Sequence, residues 1–125
     1  MILLDSSAWI EIFRGTILGK KIEERIKSEK LCASVVSISE IAKWCVENKL
    51  DQEIYINIIE KSSTLLPLKR EILINAGVFC VAHKKVVHNW GMLDSLIYMT
   101  ALDKSLSVLT TDHHFKDLES VELVE

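Results

Sequence analysis

The chain has 125 residues, of which 49% are hydrophobic and 26% charged, and its formal net charge at pH 7 is −3. This size and apolar content suit one globular domain, residues 1–125, with a real hydrophobic core, while the net charge excludes a global attraction to polyanions. Three dispersed cysteines argue against a disulfide framework or a zinc site, and no segment resembles a signal peptide or is long enough to span a bilayer. We therefore expect a soluble cytoplasmic protein with no membrane contact.

Five short apolar runs have the lengths typical of buried strands. They are Met1–Leu4, Leu31–Val36, Thr64–Leu68, Leu106–Thr110 and Val121–Val124. Segments with helical spacing separate them: Ser7–Phe13, Ile17–Ser28 after a break at Gly15, and stripes beginning at Ile38, Ile54, Ile72 and Leu93. Strands that alternate with helices predict an α/β fold with a parallel sheet and helices on both faces, because parallel strands need right-handed crossovers.

Apolar stripes predict which helix faces are buried. The clearest stripe consists of Ile38, Ile41, Ala42, Cys45 and Val46. The others are Ile54, Tyr55, Ile58 and Ile59; Ile72, Leu73, Ala76, Phe79, Cys80 and His83; and Leu93, Leu96, Ile97, Thr100 and Ala101. We expect these faces to pack on the sheet.

Four acidic residues, far apart in the chain, are predicted to meet at one edge of the sheet. Asp5 and Asp112 directly follow the first and fourth strand runs, and Glu40 lies in the first turn after the second. Asp94 begins the helix that leads into the fourth strand, and such a helix runs antiparallel to its strand. All four therefore reach the carboxyl edge, where open α/β sheets bind their ligands.

Acids brought together in this way need a cation. Carboxylates that approach one another repel and lose hydration, which divalent ions relieve. A set of oxygen ligands without imidazole or thiolate suits Mg2+ or Mn2+, as one or two ions, better than zinc. Such a site lowers the pKa of a bound water and stabilises charge on phosphoryl oxygens, so phosphodiester hydrolysis is the expected reaction class.

Each acid also has a purely structural interpretation. Ser37 and Glu40 have the spacing of a capping box, in which Glu40 would only close a helix start. Asp94 lies in a first helical turn, where the macrodipole favours an acid. Asp5 suits a helix cap, and Asp112 suits the start of a turn. The case for a site depends on their convergence.

Four segments surround these acids: ILLDSSAWI at residues 2–10, SISEI at 37–41, LDSLI at 93–97 and LTTDHHF at 109–115. Together they resemble the PIN domain family, and especially the VapC-type toxins of toxin–antitoxin pairs. They occur in order, with compatible spacing, over almost the whole chain. The resemblance implies a sheet in the order 3-2-1-4-5, metal-dependent cleavage of RNA, inhibition by a cognate antitoxin and a homodimer.

The family's functional residues match individual positions of this chain. Its catalytic and metal-binding acids correspond to Asp5, Glu40, Asp94 and Asp112. Ser7 and Thr111 match supporting hydroxyls, which can orient a carboxylate or a metal-bound water. Ser6 stands where many relatives have threonine, which does not threaten the metal site. We assign no primary role to Asp117, although it is a candidate for the rim.

Basic residues near this edge are candidates for contacts with RNA phosphates. Lys84, Lys85 and His88 precede Asp94 in the chain, and Arg14 is a further candidate. Adjacent histidines at a strand exit are usually solvated, so we expect no direct catalytic role for His113 or His114. Trp9 and Trp44 are expected to pack, while Trp90 could either pack or stack on a base.

Other functions fit the residues less well. An aspartyl-phosphate phosphohydrolase needs an acid where Ser7 stands, and a phospho-receiver domain needs an aspartate after the middle strand, where Lys69 follows instead. Two alternatives stay open: a catalytically inactive PIN-like module that binds protein or nucleic acid, and a housekeeping RNA-processing nuclease. The small size of the chain favours the toxin over the housekeeping enzyme.

Overall fold

The computed structural model describes all 125 residues and confirms the predicted alternation of strands and helices. The strands are β1 Ile2–Leu4, β2 Leu31–Ser34, β3 Thr64–Leu66, β4 Ser107–Thr110 and β5 Val121–Leu123. The helices are α1 Ser6–Arg14, α2 Ile17–Arg25, α3 Val36–Glu47, α4 Gln52–Ser62, α5 Arg70–His83 and α6 Met92–Asp103, with a 3-10 turn at His113–Phe115. The five strands form one parallel sheet in the order β3-β2-β1-β4-β5, as predicted.

Strand β1 occupies the centre of the sheet because both of its faces are apolar. Its Leu3 pairs in register with Cys32 of β2 and Val108 of β4. Ile2 and Leu4 contribute to the core on the side of α1–α4, whereas Leu3 contributes to the core on the opposite side. Alternation along a strand that is covered on both faces thus produces a three-layer α/β/α arrangement.

Each face of the sheet has its own hydrophobic core. On one side the buried residues come from β1, β2, β4 and α1–α4: Ile2, Leu4, Ala8, Trp9, Ile22, Ala33, Ile41, Cys45, Ile59 and Leu109. On the other side α5, α6 and the 3-10 turn supply most of the helical contacts, including those of Cys80, Ile97, Tyr98, Ala101 and Phe115. The sheet is thus fixed from both sides, which holds the strand ends in place.

The predicted break at Gly15 separates α1 from α2, because Gly15 adopts a left-handed conformation with φ of 64° and ends α1. The short connection lets the two helices approach closely. A Cβ atom at Gly19 would lie 2.1 Å from the backbone oxygen of Glu11, so only glycine fits there. Helix α1 is thereby packed closely against α2, and its first turn directly follows the end of β1.

Two sequence expectations need correction. The second and third strands end at Ser34 and Leu66, two residues earlier than predicted, because the chain already turns toward the next helix. The buried stripes are also narrower than the sequence pattern, since Val46, Ile54, Ile58, Leu73 and Leu93 are exposed. A helix that packs on a sheet buries only the residues directly above it. None of the helices combines the length and apolar character needed to cross a membrane.

Candidate active site

The four predicted acids line one cleft at the carboxyl edge of the sheet, with a volume of about 400 Å3. Asp5 follows β1, Asp112 lies just beyond β4, and Glu40 and Asp94 come from α3 and α6. The complete lining is Asp5, Ser6, Ser7, Ile10, Glu40, Lys43, Trp44, Glu47, Leu93, Asp94, Ile97 and Asp112. Element polarity therefore brings these acids together, as expected from the sequence.

Asp5 is the most buried of the four acids, with 4% of its surface exposed. Its Oδ1 accepts hydrogen bonds from the Ser7 hydroxyl at 2.7 Å and the Ala8 backbone N–H at 3.1 Å, which caps α1. Its Oδ2 accepts the Thr110 hydroxyl at 2.7 Å. Burial raises the pKa of Asp5 to about 6 despite these hydrogen bonds, which favour the charged form. A nearby cation would therefore stabilise its carboxylate.

Glu40 faces the cleft and does not cap a helix. Helix α3 begins at Val36, so Ser37 already lies inside it and makes no capping contact. The Ser6 hydroxyl donates to the Oε1 of Glu40 at 2.6 Å and lies 3.0 Å from the Ser37 hydroxyl. The capping-box interpretation is therefore wrong, because α3 starts directly after β2 and carries both side chains toward α1. Burial is the main cause that raises the pKa of Glu40.

Asp94 and Asp112 both combine a local structural contact with exposure to the cleft. The Oδ2 of Asp94 accepts the backbone N–H of Gly91 at 3.2 Å, which satisfies the start of α6. The Oδ1 of Asp112 accepts the backbone N–H of His114 at 2.9 Å and so opens the 3-10 turn. The structural roles expected for these two acids are present, and each uses only one carboxylate oxygen.

The acids interact electrostatically across the cleft. Desolvation is the largest cause that raises the pKa of Asp94, and the charge of Asp112 adds to it. The same Asp112 charge also raises the pKa values of Asp5 and Glu40. Mutual repulsion among partly buried carboxylates is the feature expected of a site that receives a cation.

The donor set fits a hard divalent ion. Glu40 Oε2, Asp94 Oδ1 and Asp112 Oδ2 have no hydrogen-bond partner, and the cleft is lined by no histidine or cysteine. Oxygen-only ligands of this kind suit Mg2+ or Mn2+. No three acidic, histidine or cysteine side chains are already close enough to hold an ion by themselves. Water molecules would therefore have to complete the coordination of an ion that binds to these acids.

Hydroxyl groups connect the two strand ends beneath the acids. Besides its bond to Asp5, the Thr110 hydroxyl accepts the backbone N–H of Asp112 at 2.9 Å and lies 3.2 Å from the Ser7 hydroxyl. The backbone N–H of Thr111 donates to the Ser7 oxygen at 3.0 Å. The hydroxyl that orients Asp5 from β4 is therefore that of Thr110. The Thr111 hydroxyl makes no hydrogen bond, and its role toward a bound water stays a prediction.

Sequence reasoning missed Ser6 and Thr110 as site residues, and also missed Lys43 and Glu47 at the mouth of the cleft. The first two were detectable as polar residues adjacent to the acids at strand ends. Lys43 lies three residues after Glu40 on α3, and such a spacing places two side chains on one helix face. That spacing was the available signal for Lys43.

The predicted phosphate-contacting residues lie outside the cleft. Arg14 is the last residue of α1, roughly 12 Å along the helix from its first residue, and its side chain contacts Glu11 at 3.3 Å. Lys84, Lys85 and His88 are exposed in the connection from α5 to α6, which leads to the helix start that carries Asp94. Whether these three residues contact RNA stays a prediction. Their position near the start of α6 favours such a contact more than the position of Arg14 does.

Trp9 and Trp44 pack as expected, whereas the absence of a direct catalytic role for His113 and His114 stays a prediction. The His113 side chain is exposed and lies 3.4 Å from Glu125, while His114 Nδ1 lies 3.4 Å from the Asp112 carboxylate. Trp9 is buried, and Trp44 stacks on Phe13 although its edge reaches the cleft.

Trp90 is fully buried and donates its indole N–H to the Ser95 hydroxyl at 2.6 Å. It therefore packs in the core beneath α6 and is unavailable for stacking on a base.

Known proteins resemble this chain in both sequence pattern and fold. The family profile of the PIN domain matches residues 2–121. Mycobacterium tuberculosis VapC20, described as a sarcin-ricin loop cleaving toxin, has a TM-score of 0.81 at 14% identity over 100% of both chains. A toxin–antitoxin complex from Klebsiella pneumoniae gives 0.79 at 16% identity, covering 98% of this chain and 96% of that one.

VapBC2 from Rickettsia felis, bound to a promoter DNA fragment, gives a TM-score of 0.78 at 15% identity over 100% of both chains. No curated protein sequence matches the chain. At these identities the solved structures establish the fold alone, whereas the family profile spans nearly every residue and includes all four acids of the cleft. The chain belongs to the PIN domain family.

Proposed function

We propose that this protein is an endoribonuclease that depends on Mg2+ or Mn2+ and acts as the toxin of a toxin–antitoxin pair. The observation that carries the proposal is the convergence of Asp5, Glu40, Asp94 and Asp112 in one open cleft. Burial and mutual repulsion raise the pKa values of three of them, so the cleft is arranged to receive positive charge.

The four acids would have different roles in metal binding, because their surroundings differ. Asp5 is fixed by hydrogen bonds to both oxygens and would hold one or two divalent ions from the floor of the cleft. Glu40, Asp94 and Asp112 each offer an unpaired oxygen that would complete the ligand set around the ion and its waters. When bound, the metal would activate water for attack on a phosphodiester and neutralise charge on phosphoryl oxygens.

The residues beneath the acids keep them in position. Ser7 and Thr110 orient Asp5, and Ser6 orients Glu40. The backbone N–H of Gly91 holds Asp94 in the same way. The chain itself thus fixes the direction of three of the four acids.

The choice of RNA and of a toxin role draws support from the family and from the solved structures. VapC20 is described as a toxin that cleaves the sarcin-ricin loop, and the other two proteins are toxin–antitoxin complexes. The likeness in fold extends over the whole length of both chains. A housekeeping nuclease would share the chemistry and differ in its target.

Cleavage of a panel of structured RNAs tests the proposal. We expect purified protein to cut RNA with Mg2+ or Mn2+, and EDTA, Asp5→Asn or Asp94→Asn to abolish the cutting. Asp117→Asn is the matched control, because Asp117 is exposed outside the cleft and its φ of 68° is one that asparagine tolerates. Cutting that survives both cleft substitutions would reject this site, and an inert wild type that also gains no thermal stability from metal would indicate a binding-only module.

Growth measurements separate a toxin from a housekeeping enzyme. A toxin should arrest growth when expressed alone and should do so only with its acids intact, so Asp94→Asn serves as the inactive control. Expression without any growth penalty, in a host where the purified enzyme cleaves total RNA, would favour the housekeeping alternative.

A cognate antitoxin is proposed to inhibit the enzyme through the acidic cleft. Five carboxylates and a single lysine line this cleft, so a basic side chain of a partner would be attracted there. A complex in which the cleft stays open and solvated would reject this mode of inhibition.

Helix α5 supports the proposed homodimer. Residues 72–82 carry no charge, and Leu73, Ile74, Val78 and Val81 are exposed. An apolar face of this extent on a surface helix suggests burial against a partner.

We expect Val78→Lys to yield monomers in light scattering, while Val46→Lys, at an equally exposed apolar position on α3, leaves dimers intact. Monomers of wild-type protein at micromolar concentration would exclude the homodimer.

A further inference from the structure

Lys43 is the only cationic side chain among the residues that line the acidic cleft. It belongs to α3, three residues after Glu40, and therefore lies one turn further along the same helix face. Its charge acts on the site, since it lowers the pKa of Glu40 in opposition to the burial that raises it. An ammonium group thus stands at the mouth of a cleft whose other charged groups are all carboxylates.

The ammonium group of Lys43 has a weak and replaceable partner. Its Nζ contacts the two carboxylate oxygens of Glu47 at 3.1 and 3.2 Å, one helical turn further on. The two side chains are 75% and 57% exposed. Exposed pairs of this kind stabilise a helix very little, so the fold does not depend on Lys43. A flexible lysine that water already reaches can exchange one anionic partner for another at low cost.

An RNA strand that enters this cleft meets strong negative charge. A divalent ion held by the acids would neutralise the phosphate that is cut, whereas the neighbouring phosphates would still face the carboxylates of the lining. Each such phosphate needs a positive charge on the wall of the cleft, since phosphate contacts by lysine and arginine supply most of the affinity for nucleic acids.

We propose that Lys43 binds a phosphate of the RNA strand adjacent to the scissile bond, and that this phosphate displaces Glu47 as the partner of the lysine. The inference rests on the proposed ribonuclease function and extends it by naming a substrate-binding residue at the mouth of the cleft. The alternative role, simple neutralisation of the acidic cluster, predicts a different result. Loss of Lys43 would then change the affinity for metal and leave the affinity for RNA unchanged.

The test measures steady-state cleavage of a short fluorogenic single-stranded RNA at saturating Mn2+. Lys43→Gln should raise KM about tenfold, as expected for one lost charge-assisted contact, with kcat within about twofold of wild type. Lys43→Arg should restore KM, and Glu47→Gln should lower it because the competing carboxylate is gone. Lys27→Gln is the matched control, since Lys27 has the same 75% exposure, pairs with a nearby glutamate, Glu24, and does not line the cleft.

The salt dependence of KM provides a second readout that a structural role would not change. Because one phosphate contact contributes about 0.7 to the slope of log KM against log salt concentration for a single strand, Lys43→Gln should reduce the slope by about that amount. An unchanged KM and slope in Lys43→Gln, or an equal loss in Lys27→Gln, overturns the inference while leaving the nuclease intact. If the wild type cleaves no RNA with either metal, the proposed function itself fails and this inference fails with it.

Discussion

Two groups of carboxylates in this protein show how surroundings decide the behaviour of the same chemical group. The first is the acidic cleft. The second, which we call the Arg25 cluster, consists of the Met1 amino group, Arg25, Glu29 and Glu122. Arg25 contacts Glu122 through two nitrogens at 2.6 and 2.9 Å and Glu29 at 3.2 Å. There the hydrogen bond from Arg25 is the main cause that lowers the pKa of Glu29.

Glu40 shows the opposite shift, because burial raises its pKa and Asp94 and Asp112 add repulsion. The Arg25 cluster balances its acids with cations of the chain itself, whereas the cleft leaves most of its negative charge to be balanced from outside. Acids that are paired with cations of the same chain are typical of a structural surface. Clustered acids without such cations are typical of a binding or catalytic site. Glu29 and Glu40 are thus a matched pair for experiments.

The largest expected effect is on catalysis. Glu40→Gln should reduce RNA cleavage by at least about 100-fold, because it removes the negative charge of a proposed metal ligand and replaces one of its two oxygens with an amide NH2. Glu29→Gln should leave cleavage unchanged, since Glu29 lies outside the cleft. Rates at saturating Mn2+ for both variants provide the comparison. Equal losses of cleavage in the two variants would show that the acids of the cleft matter no more for catalysis than those of the Arg25 cluster.

The next effect is stabilisation by metal. Millimolar Mn2+ should stabilise the wild type and Glu29→Gln by about 1–3 kcal/mol, because the ion binds only the folded cleft. Asp94→Asn should lose most of this gain, since Asp94 supplies one of the unpaired oxygens. Thermal melts with and without the ion measure the difference. A full Mn2+ response in Asp94→Asn would place the ion elsewhere in the protein.

A smaller effect concerns pH in the absence of metal. The folded-state pKa of Asp5 is raised from 3.8 to about 6, so the folded protein binds this proton more tightly than the unfolded chain does. The contribution of Asp5 to stability is therefore favourable near pH 4 and is lost progressively as the pH rises through about 6. Relative to Asp5→Asn, the wild type should lose about 2 kcal/mol over this range.

Denaturation of wild type and Asp5→Asn in EDTA, at a series of pH values, measures this difference. The asparagine keeps a similar shape and the contact with Ala8, so the difference curve isolates the proton. A difference that stays constant from pH 4 to pH 7 would show that the Asp5 carboxylate is not destabilised by its burial.

The smallest effect belongs to the Arg25 cluster. Glu122→Gln should reduce the melting temperature only slightly, because both partners are well exposed to water. The reduction should disappear in about 1 M NaCl, where exposed charges are screened. A large loss that persists in high salt would show that the cluster contributes to stability through packing as well as charge.

Much of the fold could be predicted because its signals are local. The five strand runs, the break at Gly15 and the α/β class follow from short apolar runs and helical spacing. The errors have a common origin in contacts between elements. The stripe through Leu73 and the capping box at Ser37 both looked correct in isolation, but the packing of α5 and the early start of α3 decided otherwise.

By itself the sequence determined the place of the four acids along the chain, and the polarity of parallel strands and their crossover helices then brings them to one edge of the sheet. Only the tertiary structure decided the partner of each oxygen. Thr110 reaches Asp5 across 105 residues, and Ser6 reaches Glu40 across 34. Such hydrogen bonds depend on distances of a few ångströms between separate elements. Local periodicity does not encode these distances, because they are set when the sheet and its two helical layers pack together.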